Sequence, residues 1–237
     1  MITRTCLLAS LLLVFSSQDA FGQTFWIDSF ETTGPTLGVG GTRAVSVGHA
    51  NSTDGTNCAV GDYFFRTTMT GAGALGSGFD ADFSAGADGS FIWRGEDLDA
   101  CIVNPDTITW TGIDIMGMTG LLFSGRFAAR DTQPFETTDR ITVQWRIDAG
   151  ALNDGLQFAP DGLGNLALDT NFDGTGDGAA LTTTLTEFTF LMGATGASLD
   201  LVVTVSIDAG SEEFALDLFQ VAGNGMVPVE LKSFDIE

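Results

Sequence analysis

The sequence predicts an all-β protein, a single antiparallel jelly-roll sandwich of two sheets. Along residues 140–148 and 199–208, apolar side chains alternate with mostly polar ones. A period of two is typical of a strand with one buried face. No window carries an apolar stripe at helical spacing. About ten strands without helices between them favour two packed sheets. Glycine-rich breaks separate the runs, at residues 71–78, 150–155, 174–178 and 193–196.

The remaining predicted strands are rich in Thr, Val, Ile and Phe, which suit a pleated, half-buried surface. In chain order they cover residues 25–30, 63–68, 90–94, 107–115, 121–128, 185–191 and 214–221. Two segments, residues 32–61 and 70–88, contain few bulky apolar side chains. These segments are therefore expected to form long loops, and no internal repeat is visible.

Residues 1–22 have the pattern of a secretory signal peptide. Arg4 precedes an apolar run over residues 6–15, and Ala20-Phe21-Gly22 places small residues before a cut at Gln23. A membrane-spanning helix needs about 20 apolar residues, so a transmembrane anchor is not expected. The sequence predicts a secreted or cell-surface protein with a sandwich domain over residues 23–223 and an extended tail over residues 224–237.

The net charge is −22, from 31 acidic and 9 basic residues. Such a surface repels phosphate backbones and anionic lipid, so no nucleic-acid partner is expected. It suits the binding of cations or a salty medium, in which solvated carboxylates keep a protein soluble. A generic acidic surface accounts for most of these charges.

Two cysteines, Cys58 and Cys101, remain after the predicted cleavage. An even count in an exported chain predicts one disulfide. The bridge would close a loop of about 40 residues and contribute about 3–4 kcal/mol if unstrained. The alternative is two buried free thiols. A thiol nucleophile is disfavoured because the single histidine, His49, has no neighbour that marks it as a base.

Residues 169–177 carry the spacing of a calcium-binding loop. Gly174 occupies position 6, where such a loop turns sharply, whereas Ala180 occupies position 12 instead of a bidentate Glu. Hard oxygen ligands at alternate positions suit Ca²⁺, and the missing Glu predicts weak binding. The alternative is a solvated turn between two strands. The predicted ligands at positions 1, 3, 5, 7 and 9 are Asp169, Asn171, Asp173, Thr175 and Asp177.

Catalytic residues are not evident. Glu96, Asp97 and Asp99 follow an aromatic strand and offer the paired carboxylates that glycosidases use. A chain with 31 acidic residues contains such pairs by chance, and a structural ion or a solvated turn explains them equally. No Ser/His/Asp arrangement, phosphate loop or zinc cluster is visible.

Aromatic side chains could form a sugar-stacking platform or the core. Trp145 lies on the apolar face of its strand, which favours the core. The faces of Trp93 and Trp110 stay open at this point. The candidates for a platform are Trp26, Trp93, Trp110, Trp145 and Tyr63.

The order of several short motifs resembles a jelly-roll module of exported bacterial proteins. These motifs are Phe30-Glu31, Asp62-Tyr63-Phe64, Gly89-Ser90-Phe91, Gly95-Glu96-Asp97, Ile113-Asp114-Ile115, Ser198-Leu199-Asp200-Leu201 and Glu212-Glu213-Phe214-Ala215-Leu216-Asp217. The wider group of carbohydrate-binding jelly rolls often holds a structural Ca²⁺ between the opening and closing strands. The resemblance implies a second calcium site at Glu31 and Asp217, although the usual closing Asp-Asn pair is Asp217-Leu218 here.

The tail over residues 227–234 resembles the segment that precedes the C-terminal sorting domain of Bacteroidetes-type secreted proteins. Together these features favour a secreted, non-catalytic, Ca²⁺-stabilised β-sandwich module that binds glycans or cell-surface components. Two alternatives stay open, a glycan-active hydrolase or lyase on a concanavalin-like sandwich and a structural protein of a surface or matrix. A cleft lined by Trp and paired carboxylates would favour the enzyme.

Overall fold

The computed structural model describes residues 22–46, 51–52, 55–57, 63–68, 83–98, 105–131, 134–209 and 211–225. Within these ranges the regular structure consists of strands, with no helix. The strands are β1 (Gln23–Asp28), β2 (Thr42–Val45), β3 (Asn51–Ser52), β4 (Gly55–Asn57), β5 (Tyr63–Thr68), β6 (Phe91–Glu96), β7 (Asp106–Asp114), β8 (Met118–Asp131), β9 (Arg140–Ile147), β10 (Asn153–Pro160), β11 (Leu166–Leu168), β12 (Thr186–Met192), β13 (Ser198–Ser206) and β14 (Glu212–Gly225).

The strands form two antiparallel sheets with jelly-roll connectivity. One sheet has the order β12-β8-β14-β6-β5-β4-β3, and β1 also pairs with β14. The other has the order β11-β10-β9-β13-β7-β2. Eight central strands contribute four to each sheet, in the order β6-β14-β8-β12 in the first sheet and β7-β13-β9-β10 in the second. This arrangement is the double Greek key of a jelly roll. The predicted all-β, two-sheet sandwich is therefore confirmed.

The core lies between the two sheets and is rich in aromatic rings. Ile141 and Val143 of β9 and Val203 of β13 are buried, as their alternation with polar residues predicts. The ring centroids of Trp110 and Phe219, which come from opposite sheets, are 5.2 Å apart. Edge-on and tilted contacts of this kind add to the free energy of apolar burial.

Strand β10 begins inside a segment that the sequence analysis assigns to a glycine-rich break. The register between β10 and β9 shifts between Asp154 and Leu156, so Gly155 lies at a bulge. A Cβ at Gly155 would come within 2.3 Å of the Phe190 ring. Glycine is needed here because an aromatic ring packs directly on the backbone, and the strand continues through it.

Three short strands, β2, β3 and β4, lie in the segment expected to be one long loop. Strand β2 forms an edge of its sheet and pairs with β7. Backbone hydrogen bonds hold such edge strands, so they need little of the apolar alternation by which strands are recognised.

Residues 83–91 cross the outer face of the eight-stranded sheet. Phe83, Leu185 and Ala215 form a small buried cluster there, apart from the main core. Beneath it, the buried guanidinium of Arg94 pairs with Glu213 at 3.2 Å. This face is therefore partly covered by the protein's own chain.

Several sequence predictions concern parts of the chain outside the described residues. They are residues 1–21 of the predicted signal peptide over residues 1–22, Cys58, His49, Asp99, Cys101 and residues 226–237 of the predicted tail over residues 224–237. The described residues include no helix that is long and apolar enough to cross a membrane.

Candidate functional site

Asp169 organises the predicted calcium loop. Its side chain is 1% exposed and accepts hydrogen bonds from Gly174 N and Gln157 Nε2, both at 2.7 Å. It also accepts two longer bonds of 3.3 Å, from Asn171 N and Asp173 N. Burial by itself would raise the pKa of Asp169, but the hydrogen bonds from Gly174 and Gln157 hold it below its usual value.

The remaining oxygens of the loop are more exposed. Asp173 accepts from Thr175 N at 2.9 Å, and Asp177 accepts from Thr170 N and Thr170 Oγ1. Gly174 has φ of +91°, the left-handed conformation that a sharp turn requires. An ionised carboxylate offers about four lone-pair positions, so Asp173 and Asp177 retain capacity for an ion. The two 3.3 Å bonds of Asp169 lie beyond the usual hydrogen-bond range and are the ones an ion would displace.

Glu31 and Asp217 meet the same short segment, residues 88–91. Glu31 Oε1 accepts from Ser90 N and Phe91 N at 2.7 Å. Asp217 Oδ2 accepts from Asp88 N at 2.5 Å. Gly89 has φ of +81°, which favours glycine, and a Cβ there would come within 2.4 Å of Glu31 Oε1. The structure thus brings the two acids that the resemblance pairs onto one loop.

Both acids stand next to a residue with a left-handed backbone. Phe30, before Glu31, has φ of 58°, and Leu218, after Asp217, has φ of 47°. The register between β14 and β8 also shifts between Asp217 and Gln220. Positive φ at a bulky residue costs about 1–3 kcal/mol and persists only where the surroundings impose it.

Asp217 is fully buried, and burial raises its pKa to about 7. The N–H groups of Asp88 and Leu218 oppose this shift by stabilising the ionised carboxylate, and the charge of Arg126 does the same. The charge of Asp88 adds to the effect of burial. The negative charge of an ionised Asp217 is therefore only partly balanced by its surroundings, and a bound cation would supply the missing positive charge.

The aromatic platform considered above is not formed by tryptophan. Trp26, Trp93 and Trp110 are fully buried, and Trp145 packs against the main core. Tyr63 is also buried, beside Phe65. These rings stabilise the sandwich.

Of the acidic residues Glu96, Asp97 and Asp99, the structure describes the first two. Glu96 is 5% exposed, and Asp97 has φ of 50°. Glu213 of β14 lies opposite Glu96 in the sheet and is 2% exposed, so this pair of neighbouring acidic residues is buried.

The outer face of the six-stranded sheet is polar. Gln144 donates to Asp154 Oδ1 at 2.9 Å, and Arg146 Nε donates to Asp200 Oδ2 at 2.8 Å. These side chains point away from the core because they alternate with buried residues of β9. Half-buried or exposed members of this face, called the polar face below, include Thr109, Thr111, Thr142, Gln144, Arg146 and Thr204.

Sequence reasoning missed an acidic cluster. Each member offers a carboxylate oxygen, and these oxygens all lie within 4.8 Å of one another, a spacing that could hold a metal ion. Two separate turns supply them, so no contiguous motif exists. Burial raises the pKa of Asp139 to about 6. Burial together with the neighbouring carboxyl groups raises the pKa of Glu212 to about 10. The members are Glu136, Asp139, Asp208 and Glu212.

No protein-family model matches the chain, and no curated protein sequence matches it. Several solved β-sandwiches are similar in structure. The CBM22-1 xylan-binding domain of Paenibacillus barcinonensis Xyn10C is 14% identical, with a TM-score of 0.41, covering 87% of this chain and 97% of that domain. The CBM22-1 and GH10 modules of Clostridium thermocellum Xyn10B, complexed with xylohexaose, are 10% identical, with a TM-score of 0.42. The match covers 88% of this chain and 29% of that chain.

The K3 cleaved adhesin domain of Lys-gingipain from Porphyromonas gingivalis is 13% identical, with a TM-score of 0.37, covering 67% of this chain and 91% of that domain. At these identities and TM-scores the likenesses are to carbohydrate-binding and adhesin sandwiches in general shape, and the function rests on the chain's own residues.

Proposed function

We propose that this protein is an exported, non-catalytic β-sandwich module that is stabilised by Ca²⁺ and binds glycans through its polar face. The observation that carries the proposal is the closed acidic loop over residues 169–177. Asp169 Oδ2 accepts from the N–H of the left-handed Gly174, and Asp173 and Asp177 are exposed on the loop.

The donor set of this loop is hard. Carboxylate, amide and hydroxyl oxygens suit Ca²⁺ and do not suit soft metals. Asp169 already orders the loop through Gly174 N and Gln157 Nε2, so little backbone entropy is left to lose on binding. The proposed ligands are Asp169, Asn171, Asp173, Thr175 and Asp177.

A second Ca²⁺ is proposed at Glu31 and Asp217. The buried Asp217 and the strained Phe30 and Leu218 support this assignment, since a cation adds the compensation that a buried carboxylate lacks. Here the ion would join the first and last strands to residues 88–91.

Glycans are proposed as the ligand because the polar face offers side-chain amide, guanidinium and hydroxyl groups on one flat sheet. Sugar hydroxyls donate and accept hydrogen bonds, so they match such a mixture. Gln144 lies on β9, beside the central strand β13, and both strands are regular here, so the groups are held by a rigid scaffold.

A glycan array tests this ligand class. Wild-type protein is expected to bind a defined set of glycans, and Gln144→Ala to bind them about fivefold more weakly, because one hydrogen bond contributes about 1 kcal/mol. The matched control is Thr189→Ala, an exposed strand residue of the other sheet. An array without hits, or equal loss in both variants, would reject the glycan proposal. Repeating the array in EDTA separates the role of Ca²⁺ from that of the face.

The enzyme alternative makes a different prediction. If the chain hydrolyses or cleaves polysaccharides, Glu96→Gln or Asp97→Asn should abolish turnover while the fold stays intact. We expect no turnover by the wild type, with or without Ca²⁺. A structural surface protein would bind no glycan and show no turnover.

A further inference from the structure

Two turns meet at one end of the six-stranded sheet. One covers residues 134–139 and leads into β9. The other follows β13 with residues 207–209 and ends at Glu212, the first residue of β14. Strands β9 and β13 are paired up to Arg140 and Ser206, so the two turns lie side by side directly beyond that pair. Each turn contributes two carboxyl groups to the acidic cluster.

The cluster has a buried side and an open side. Asp139 is fully buried and Glu212 is 1% exposed, whereas Glu136 and Asp208 are exposed. One oxygen from each lies within 4.8 Å of the other three. At such distances ionised carboxylates repel strongly, above all where burial lowers the effective dielectric constant.

Each buried carboxylate uses one oxygen locally and leaves the other without a donor. Glu212 Oε2 accepts from Asp208 N at 3.3 Å and Ala209 N at 3.1 Å. Asp139 Oδ2 accepts from Glu136 N. By contrast, Asp139 Oδ1 and Glu212 Oε1 are buried and have no hydrogen-bond partner. Buried acceptors of this kind are rare, and each calls for a specific ligand.

A water molecule, a proton shared among the four carboxyls or a bound cation could satisfy these oxygens. A water molecule donates hydrogen bonds but leaves every negative charge in place. A shared proton neutralises one charge and leaves the others crowded. A divalent cation can contact all four oxygens, and the two exposed acids offer it a path from solvent. The all-oxygen donor set and the four negative charges suit Ca²⁺, which takes six to eight oxygens and accepts irregular geometry.

We propose that Glu136, Asp139, Asp208 and Glu212 form a Ca²⁺ site that clamps the turn before β9 to the turn between β13 and β14. The site shares no residue with the loop over residues 169–177 or with the Glu31 and Asp217 pair. It therefore stands or falls independently of the proposed function.

Calcium titration by calorimetry tests the site on the full chain after removal of metal with EDTA. The double variant Glu136→Gln with Asp208→Asn changes only exposed side chains, so it should fold normally. It is expected to lose one bound Ca²⁺ per chain, or to bind it at least tenfold more weakly. Glu187→Gln removes an exposed charge elsewhere and should keep wild-type binding, while Asp173→Ala should affect only the loop site.

Glu212→Gln separates a cation site from a proton-sharing cluster that binds no metal. Its amide can keep accepting with Oε1 and can donate to neighbouring carboxylates with Nε2. The variant should therefore melt no lower than wild type in EDTA, while one increment of the Ca²⁺-induced rise in melting temperature disappears. Unchanged Ca²⁺ stoichiometry and affinity in both cluster variants would overturn the proposal, as would an equal loss in Glu187→Gln.

Discussion

Glu31 and Asp217 hold residues 88–91 from opposite ends of the sequence. Glu31 accepts hydrogen bonds from the N–H groups of Ser90 and Phe91, and Asp217 accepts one from the N–H of Asp88. Because β1 pairs with β14, the first and last strands bring both carboxylates to one loop. The same strand pairing closes the sandwich, so the position of residues 88–91 depends on an intact sandwich.

Calcium should stabilise the protein through the acidic loop. A divalent ion relieves the repulsion among Asp169, Asp173 and Asp177, so Ca²⁺ is expected to raise the melting temperature relative to EDTA. Asp173→Ala should remove the loop's share of that rise. Asp161→Ala is the control, since Asp161 closes a similar neighbouring turn through Leu163 N and Asn165 N. Identical melting curves in Ca²⁺ and EDTA would contradict the proposed calcium role.

Asp217 should make stability depend on pH. Its pKa in the folded protein is raised from 3.8 to about 7. Between about pH 4 and pH 7 the unfolded chain loses its proton first, so the free energy of unfolding should fall as pH rises through this window. Below the window the full stability is present. Denaturation in urea with EDTA, repeated across this range, measures the decline.

Asp217→Asn cannot ionise, so its stability should fall less steeply with pH than that of the wild type. Added Ca²⁺ should flatten the wild-type curve because a bound cation favours the ionised carboxylate. The idea fails if the wild type and Asp217→Asn show equal slopes in EDTA.

The ion pair of Arg43 and Asp28 should matter much more than that of Arg146 and Asp200. Arg43 and Asp28 are 1% and 0% exposed, and Trp110 Nε1 also donates to Asp28 at 2.6 Å. Arg43→Met leaves a buried carboxylate undercompensated and should cost about 3–5 kcal/mol of unfolding free energy.

Arg146→Met is the matched comparison, because the Arg146 side chain is 36% exposed. Solvent screens that pair, so its loss should cost about 1 kcal/mol or less. Chemical denaturation of both variants gives the two values. Similar losses in the two would show that burial does not set the strength of these pairs.

Cys58 and Cys101 are expected to be bonded in exported material. Mass spectrometry after alkylation without reduction should find neither thiol modified, and reduction should expose both. The bridge would restrict a loop of about 40 residues in the unfolded chain, so Cys58→Ser with Cys101→Ser should destabilise by about 3–4 kcal/mol. Two alkylatable thiols before reduction would contradict the pairing.

The sequence by itself determined the fold class and which face of each regular strand is buried. Alternation in β9 and β13 decides which side chains enter the core, because successive strand residues point to opposite faces. The turn at Gly174 was also predictable, since glycine adopts positive φ at little cost. These properties depend on near neighbours in the chain.

Tertiary structure alone decided which distant groups meet. The pairing of β9 with β13 brings Asp139 beside Glu212, and no local pattern records that contact. From the sequence, Gly155 is predicted to interrupt the strand, whereas in the structure β10 continues through it because the Phe190 ring packs on its backbone. Trp93 and Trp110 have no assignable face until the second sheet covers them. Burial, buried charge and shared ligands arise from such long-range contacts, and they carry the chemistry proposed for this protein.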